Sequence, residues 1–582
     1  MTTENGLQDR LAPLVAQLYP DAAAEVLAAL LDLAETWRAR LASPRQDADH
    51  VGPDERTAYL ITYGDSFRRP GETPLHTLAG VLRDHIGDVI SDVHLLPIYP
   101  WTSDDGFGVV DHRQVNPALG TWDDIADLRD EYALALDFVA NHISSSSPWF
   151  QSWLARDERY DGYFLDPFPE NGPGFDVSHV VRPRVTPLVH EYARPDGTMA
   201  RAWTTFGPDQ IDIDPSTPAV LLDLTDILLG YLARGATTVR LDAIGYLWKQ
   251  SGTTCIHLPQ THDIIRIWRI LVDELAPGTL LLTETNVPHA DNITYFGDGS
   301  DEAHMVYQFA LPPLVLHAFV TGRATALSEW ASGVGPVSDT ATWFNFLASH
   351  DGIGLRPTEG LLTDADRALL VERTLARGGR VSMAKRPDGS EGVYELNTNF
   401  LEALVDPADP DPDASAVRRG LAAHAILLSL VGVPAIYHHS LLGSQQDHQG
   451  VQDSDIARRI NREVLDADTL HAELQVPGRR SGMLNGVRAM LAVRRGTAAF
   501  SPFAAQEIAF LDDRVLVVRR AAGTDDEVVA VVNVSDEAVS LESLSGTDLL
   551  SGVHHDGLVL APFGYVWLAA LPSSNRDTGD RL

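Results

Sequence analysis

Short runs of β-branched and aliphatic residues recur along the chain. Each ends in a polar or glycine-rich break, and segments with an apolar residue every three or four positions lie between them. The runs fall at 57–64, 93–99, 133–141, 237–244, 279–285, 305–310, 342–351 and 433–439, with helical spacing at 73–83, 121–132, 218–234 and 261–275 among others. Eight strands alternating with helices predict an α/β fold of the (β/α)8 barrel type, a TIM barrel. Ahead of them, residues 1–45 carry helical spacing, beginning with Leu11, Leu14, Val15 and Leu18, and a polar linker follows at 47–56. From about 501 the pattern changes to alternation at 514–519, 527–534 and 565–568, which predicts a small antiparallel β-domain; 573–582 is a polar tail expected to lack order.

Two gaps are too long for barrel loops. The first, rich in proline, glycine and aromatic residues, predicts an inserted domain at 143–214 over the barrel mouth; the second predicts a lid segment at 352–414. The expected organisation is an arm and linker at 1–56, a catalytic barrel at 57–142 and 215–500, and a β-domain at 501–572.

Composition narrows the function classes. The chain has 582 residues, 44% hydrophobic and 21% charged, as expected of a globular protein. There is no apolar run of about 18 residues and no basic-then-apolar leader, so neither a membrane span nor a secretory signal is expected. Cys255 is the single cysteine, which excludes an internal disulfide and makes the cytoplasm the expected compartment. A net charge of −37 argues against a nucleic-acid partner. Lysine occurs only at Lys249 and Lys385, so an anionic substrate would have to be held by local arginines. The pattern is compatible with a homodimer and does not fix the oligomeric state.

The chemistry centres on Thr237-Thr238-Val239-Arg240-Leu241-Asp242-Ala243-Ile244-Gly245. Side chains alternate along a strand, so Arg240 and Asp242 share one face. Burying a cation and a carboxylate there is costly, and the pair is either a structural ion pair or part of a site. Barrel enzymes carry chemistry at the C-terminal ends of their strands. Strand three ends Asp137-Phe138-Val139-Ala140-Asn141-His142, strand five Leu281-Leu282-Thr283-Glu284, and strand seven Phe346-Leu347-Ala348-Ser349-His350-Asp351. Together with strand four, these stretches resemble, in order, the four short motifs of the α-amylase superfamily of glycoside hydrolases and glucosyltransferases. The resemblance covers roughly 57–570 and implies the roles. Asp242 would be the nucleophile, Glu284 the general acid and then base with a raised pKa, and Asp351 the carboxylate that grips two sugar hydroxyls in the transition state. Arg240 would orient Asp242 and keep it ionised, while His142 and His350 would bond sugar hydroxyls.

A finer resemblance is to the sucrose phosphorylase group. Val93-His94-Leu95-Leu96-Pro97-Ile98-Tyr99-Pro100 and Asp104-Asp105-Gly106-Phe107-Gly108 are similar to its second strand and loop. This implies that Asp104 binds the far hydroxyl of a terminal glucose, that Phe107 lies against the sugar ring, and that Arg458 pairs with Asp104. Arg182-Pro183-Arg184 and the stretch 205–214 resemble the inserted domain of that group, with Arg184 at a phosphate-binding position and Phe206 bordering the glucose and acceptor subsites. The second lid carries Tyr394-Glu395-Leu396-Asn397 where sucrose phosphorylases read Leu-Asp-Leu-Tyr-Gln. Tyr394 is kept as a residue of the phosphate-binding form. Gly392 and Glu395 replace the Asp and Gln that contact fructose, which argues against fructose as acceptor. The altered lid and the helical arm look more like glucosylglycerate phosphorylases and sucrose 6-phosphate phosphorylases. Arg356 is placed to meet an acceptor carboxylate or phosphate in either.

The expected activity is therefore retaining phosphorolysis of a small α-glucoside, glucosylglycerate first, with inorganic phosphate as the second substrate and α-glucose 1-phosphate as product. Sucrose 6-phosphate or sucrose phosphorylase is the alternative, and a retaining α-glucosidase or transglucosidase is the rival. A catalytically dead binding subunit, as in amino-acid transporter heavy chains, would call for a membrane anchor and often for lost carboxylates. No metal or organic cofactor is implied, although Asn141 sits where many amylases anchor calcium.

Overall fold

The structure, a computed structural model, describes residues 2–41, 52–169, 174–385 and 390–569. Eight short strands form a closed barrel: Tyr59–Thr62 (β1), Asp92–Leu95 (β2), Ala133–Phe138 (β3), Ala236–Leu241 (β4), Leu280–Thr283 (β5), Met305–Tyr307 (β6), Thr342–Phe346 (β7) and Val433–Tyr437 (β8). Each is hydrogen-bonded in parallel to its neighbours in chain order, and β1 closes the ring by pairing with both β2 and β8. All eight predicted strands fall on these elements, each strand ending one to several residues before the apolar run that signals it. The residues after the strand ends form the mouth of the barrel.

The period of two decides what faces inward. On β4, Thr238 and Arg240 point into the barrel, and the Thr238 hydroxyl lies 2.7 Å from the Tyr59 hydroxyl across the interior. Val239 and Leu241, fully buried, point outward into the apolar core. The ion pair of β4 is thus confined to the barrel axis by the same alternation that packs the layer outside it.

The N-terminal arm is two helices, Thr2–Leu18 (α1) and Ala23–Leu41 (α2). They pack on the helices flanking β4, Pro218–Ala233 (α3) and Pro259–Leu275 (α4). The apolar stripe of Leu11, Val15, Leu30 and Trp37 joins the main core. The Tyr19 hydroxyl donates to the Pro215 carbonyl at 2.6 Å and the Trp37 indole to Asp226 at 3.0 Å. Residues 47–51 of the expected linker and the expected tail at 573–582 lie outside the described residues.

The stretch after β3 contains the paired strands His142–Ser144 and Gln210–Asp212 and the ribbon of Val189–Ala193 with Met199–Trp203. The stretch after β7 folds into a three-stranded antiparallel sheet, Ile353–Gly354, Arg380–Lys385 and Glu391–Asn397, beside the helix Asp364–Ala376. At the C-terminal end a six-stranded antiparallel sheet includes the three expected strands. It also holds Gln506–Ile508, Val539–Asp548 and His554–Leu560, whose weaker alternation conceals them in the sequence. Arg520, fully buried, donates from this sheet to the Ser429 carbonyl at 3.0 Å and so ties it to the barrel.

Candidate active site

The mouth gathers the carboxylates that the sequence distributes over four strands. Arg240 is buried and reaches three of them: Nη1 donates to Asp242 Oδ1 at 2.8 Å and to Asp137 Oδ1, and Nη2 stands 3.8 Å from Glu284 Oε2. Asp137 is held in turn by His94 Nε2 at 2.9 Å. After Asp242 the chain turns through Ala243 in the left-handed region, at φ 47° and ψ 31°, a conformation costly for a residue with a Cβ. The turn aims the Ala243 N–H at Glu284 Oε2, 2.9 Å away.

Burial pushes the Glu284 carboxyl above the ordinary range; Arg240 opposes this and Asp351 adds to it. The same burial raises Asp242, again against Arg240 and with help from Glu284, Asp137 and Asp351. Arg240 is 2.8 Å from Asp242 and 3.8 Å from Glu284, so it stabilises an anion on Asp242 at closer range than one on Glu284. For Asp351, burial alone would raise the carboxyl, but Arg458, His350, Arg462 and Arg240 outweigh it and hold it far below the usual range. A carboxylate held low, Asp351, thus shares one pocket with two carboxyls that burial raises, Asp242 and Glu284.

His142 and His350 flank this group, and burial pushes them down to about 4 and about 3, so both are neutral hydrogen-bonding groups. His142 Nε2 faces the Phe107 carbonyl at 3.1 Å. The Phe107 ring stacks on His350, with centroids 4.8 Å apart and planes 7° from parallel, and the Arg240 guanidinium lies 5.7 Å from its centre; only 5% of Phe107 is exposed. Asp104 and Asp105 both have left-handed backbones, φ 51° and 49°. Arg458 is 4.0 Å from Asp104, and Arg462 is nearer at 3.6 Å. The closer contacts of Arg458 lie elsewhere: an ion pair with Asp351 at 2.7 Å and hydrogen bonds to both oxygens of Glu395.

At the outer side, Phe206 lies 5.1 Å from His142 and 5.5 Å from Tyr246, ring centre to ring centre, with the Arg184 guanidinium 5.4 Å from its face. The buried Tyr246 hydroxyl, its pKa raised by burial, lies close enough to Arg356 and Arg184 for both cations to oppose that rise. Tyr394 is buried beside Tyr246 and Glu395, which drives its phenol pKa upward. Burial pushes Arg182 down to about 10; the charge of Asp212 opposes this and the nearby charge of Arg184 adds to it. Among the described residues, none of Arg182, Arg184 and Arg356 has a carboxylate within 4.0 Å.

Sequence reasoning misses Arg462, Asp105, Asp137, His94 and Tyr246 as members of this group. Their signal is contiguity: each lies inside, or one residue beyond, a stretch already singled out for another residue. It also misses Lys249. Asn141 Oδ1, Asp212 Oδ2 and the carbonyls of Ile213 and Leu247 converge there, but all four bond the Lys249 ammonium, at 3.1, 2.9, 3.3 and 3.3 Å. This oxygen set therefore does not fit a calcium ion, because a built-in cation occupies its centre. Lys249→Met should leave Asp212 buried without its countercharge and cost about 3–5 kcal/mol of folding free energy. Chemical denaturation would read this, and an unchanged midpoint would refute it.

Residues 62–351 match the family model of the alpha amylase catalytic domain. The chain is 44% identical over 532 residues to a glucosylglycerate phosphorylase of Spirochaeta thermophila, covering 90% of this chain and 89% of that one. It is 42% identical over 520 residues to a glucosylglycerate phosphorylase of Escherichia coli, covering 88% and 92%. Among solved structures, a sucrose 6F-phosphate phosphorylase from Thermoanaerobacter thermosaccharolyticum superposes with a TM-score of 0.71 at 24% identity, over 82% of this chain and 94% of that one. No helix among the described residues is long and apolar enough to cross a membrane.

Proposed function

Since the chain belongs to the α-amylase family, we propose that it is a retaining phosphorylase of small α-glucosides, with glucosylglycerate as substrate. Asp242 attacks the anomeric carbon while Glu284 Oε1 passes its proton to the departing glycerate oxygen, and a β-glucosyl-enzyme ester forms. Inorganic phosphate then attacks the same carbon, the ester bond to Asp242 breaks, and Glu284 takes a proton back. The product is α-glucose 1-phosphate with net retention.

The observation that carries this reading is the arginine group around Tyr246. The chain has a net charge of −37, yet at the rim of a carboxylate-rich pocket Arg182, Arg184 and Arg356 stand together without carboxylate partners among the described residues. Like charges are gathered in this way where an anion completes the site. Phosphate and a glycerate carboxylate are both such anions, and they would occupy the space in turn. A hydrolase of neutral glucosides would have no use for the group. The relatives named glucosylglycerate phosphorylase support the same choice of acceptor.

The test is glucosylglycerate turnover with and without phosphate. Glucose 1-phosphate should dominate when phosphate is present; phosphate-independent release of glucose as the main route would establish the hydrolase. In the synthetic direction, Arg356→Ala should raise the KM for glycerate by about ten- to a hundredfold, the range for losing one charge-assisted bond. The change in kcat should be smaller, because the bond is made to substrate and transition state alike. Retained glycerate affinity would remove Arg356 from the acceptor site.

A further inference from the structure

We propose that Glu395 is a positioning residue that acts through Arg458 on Asp351, rather than a contact to the acceptor. By resemblance, position 395 is where sucrose phosphorylases place a glutamine that touches fructose. In this chain the side chain is fully buried, and both its oxygens are taken by Arg458. Its Oε1 accepts from Arg458 Nε at 2.9 Å and its Oε2 from Arg458 Nη2 at 2.6 Å. This engages one whole edge of the guanidinium. Nη1 is left facing the active-site carboxylates, paired in charge with Asp351 Oδ1 at 2.7 Å though not aligned as a hydrogen bond, and 4.0 Å from Asp104.

The far side of the device is fixed as well. Asn397 donates from Nδ2 to Glu395 Oε1 at 2.8 Å while its oxygen accepts from Ser382 on the adjacent lid strand. The backbone carrying Asp351 runs directly across Glu395. A Cβ on Gly352 would fall 2.6 Å from Glu395 Cγ and 2.5 Å from the Leu396 carbonyl, so only glycine fits there. Gly354 pairs with Glu395 in the lid sheet. The lid strand Glu391–Asn397, which also carries Tyr394, is thus joined through one guanidinium to the carboxylate that grips the glucose ring. Removing the charge of Glu395 frees Arg458 to swing towards Asp351 and Asp104 and draws Asp351 out of its sugar-binding position.

The proposal rests on the reading of Asp351 as a transition-state carboxylate. It is tested with E395Q on α-glucosyl fluoride, a donor whose leaving group has none of the acceptor's chemistry, and on synthesis from glucose 1-phosphate with glycerate or fructose. The kcat/KM for fluoride release should fall by about ten- to a hundredfold, the scale for a misplaced catalytic group. The KM for glycerate should stay within about twofold, since no acceptor contact is lost. Fructose should remain a poor acceptor. An unchanged kcat/KM for the fluoride, a larger rise in the KM for glycerate, or new acceptance of fructose would overturn the proposal. Should E395Q fail to fold, Asn397→Ala removes only the outer bond; it should lower the fluoride parameter severalfold and leave the glycerate KM alone, and the converse would overturn the proposal. Whether the unaltered enzyme makes glucose 1-phosphate from the fluoride is read in the same assay, so failure of the phosphorylase reading is distinguishable from failure of this one.

Discussion

Asp242→Asn should reduce turnover of glucosylglycerate by roughly 10⁴-fold or more, while the protein stays folded, because a covalent nucleophile has no substitute in its pocket. The substitution is nearly isosteric and leaves Arg240 its bond to Asp137. The chemical loss can therefore be measured without loss of the fold. Glu284→Gln should behave differently. It removes the proton that the departing glycerate needs, but α-glucosyl fluoride needs none, so the first step on the fluoride should survive while glucosylglycerate cleavage collapses. The burst of fluoride release, set against glucosylglycerate cleavage, separates the roles, since Glu284 also serves in the second step. If Asp242→Asn kept activity, or if Glu284→Gln lost both donors equally, the division of labour between the two carboxyls would be wrong.

Thermal stability should fall steeply as the pH drops below about 6.5, before the paired carboxylates titrate. Burial pushes His112, His142, His257 and His424 down to about 4, and His350 and His438 to about 3, all from 6.5. A group with a lower pKa in the folded state takes its proton first in the unfolded chain. Its contribution is fully present above the unfolded pKa and is lost as the pH falls towards the folded value. At pH 5 each such histidine would cost about 2 kcal/mol, and six together would rival a whole folding free energy of about 5–15 kcal/mol. Asp92 works in the opposite sense. Burial lifts its carboxyl to about 6, so its contribution is fully present below the unfolded pKa and is lost as the pH rises through 6. Burial raises Glu284 and Asp242 in the same sense, and the three carboxyls together offset part of the histidine loss. Melting temperatures measured from pH 8 to pH 5 would read the net effect; a flat profile would show that the histidine sites relax to accept protons at little cost.

The barrel and the order of its catalytic motifs could be read from the sequence because both rest on local rules. Short apolar runs separated by helical spacing leave few topologies, and the polar residues that end strands three, four, five and seven stand out against otherwise apolar segments. The shared face of Arg240 and Asp242 follows from alternation alone. The edge strands of the C-terminal sheet are harder to see, because one of their faces meets water and little distinguishes them from loops.

What the sequence by itself determined, then, is which residue types reach the mouth and on which strands. The tertiary structure alone decided which of them meet. Arg458 is separated by 63 positions from Glu395 and by still more from Asp351, and nothing local indicates that its guanidinium faces them more closely than it faces Asp104. Glu395 has the same composition and neighbours whether it points into the acceptor space or away from it. Lys249 looks like any polar loop residue until oxygens from two distant segments, Asn141 in one and Asp212 with Ile213 in the other, join its own neighbour Leu247 around it. The physical reason is the same in each case. Secondary structure is set by neighbours along the chain, whereas the partner of a buried charge is whichever opposite charge the packing brings within a few ångströms, because in that surrounding an unpaired ion costs more than any local preference can return.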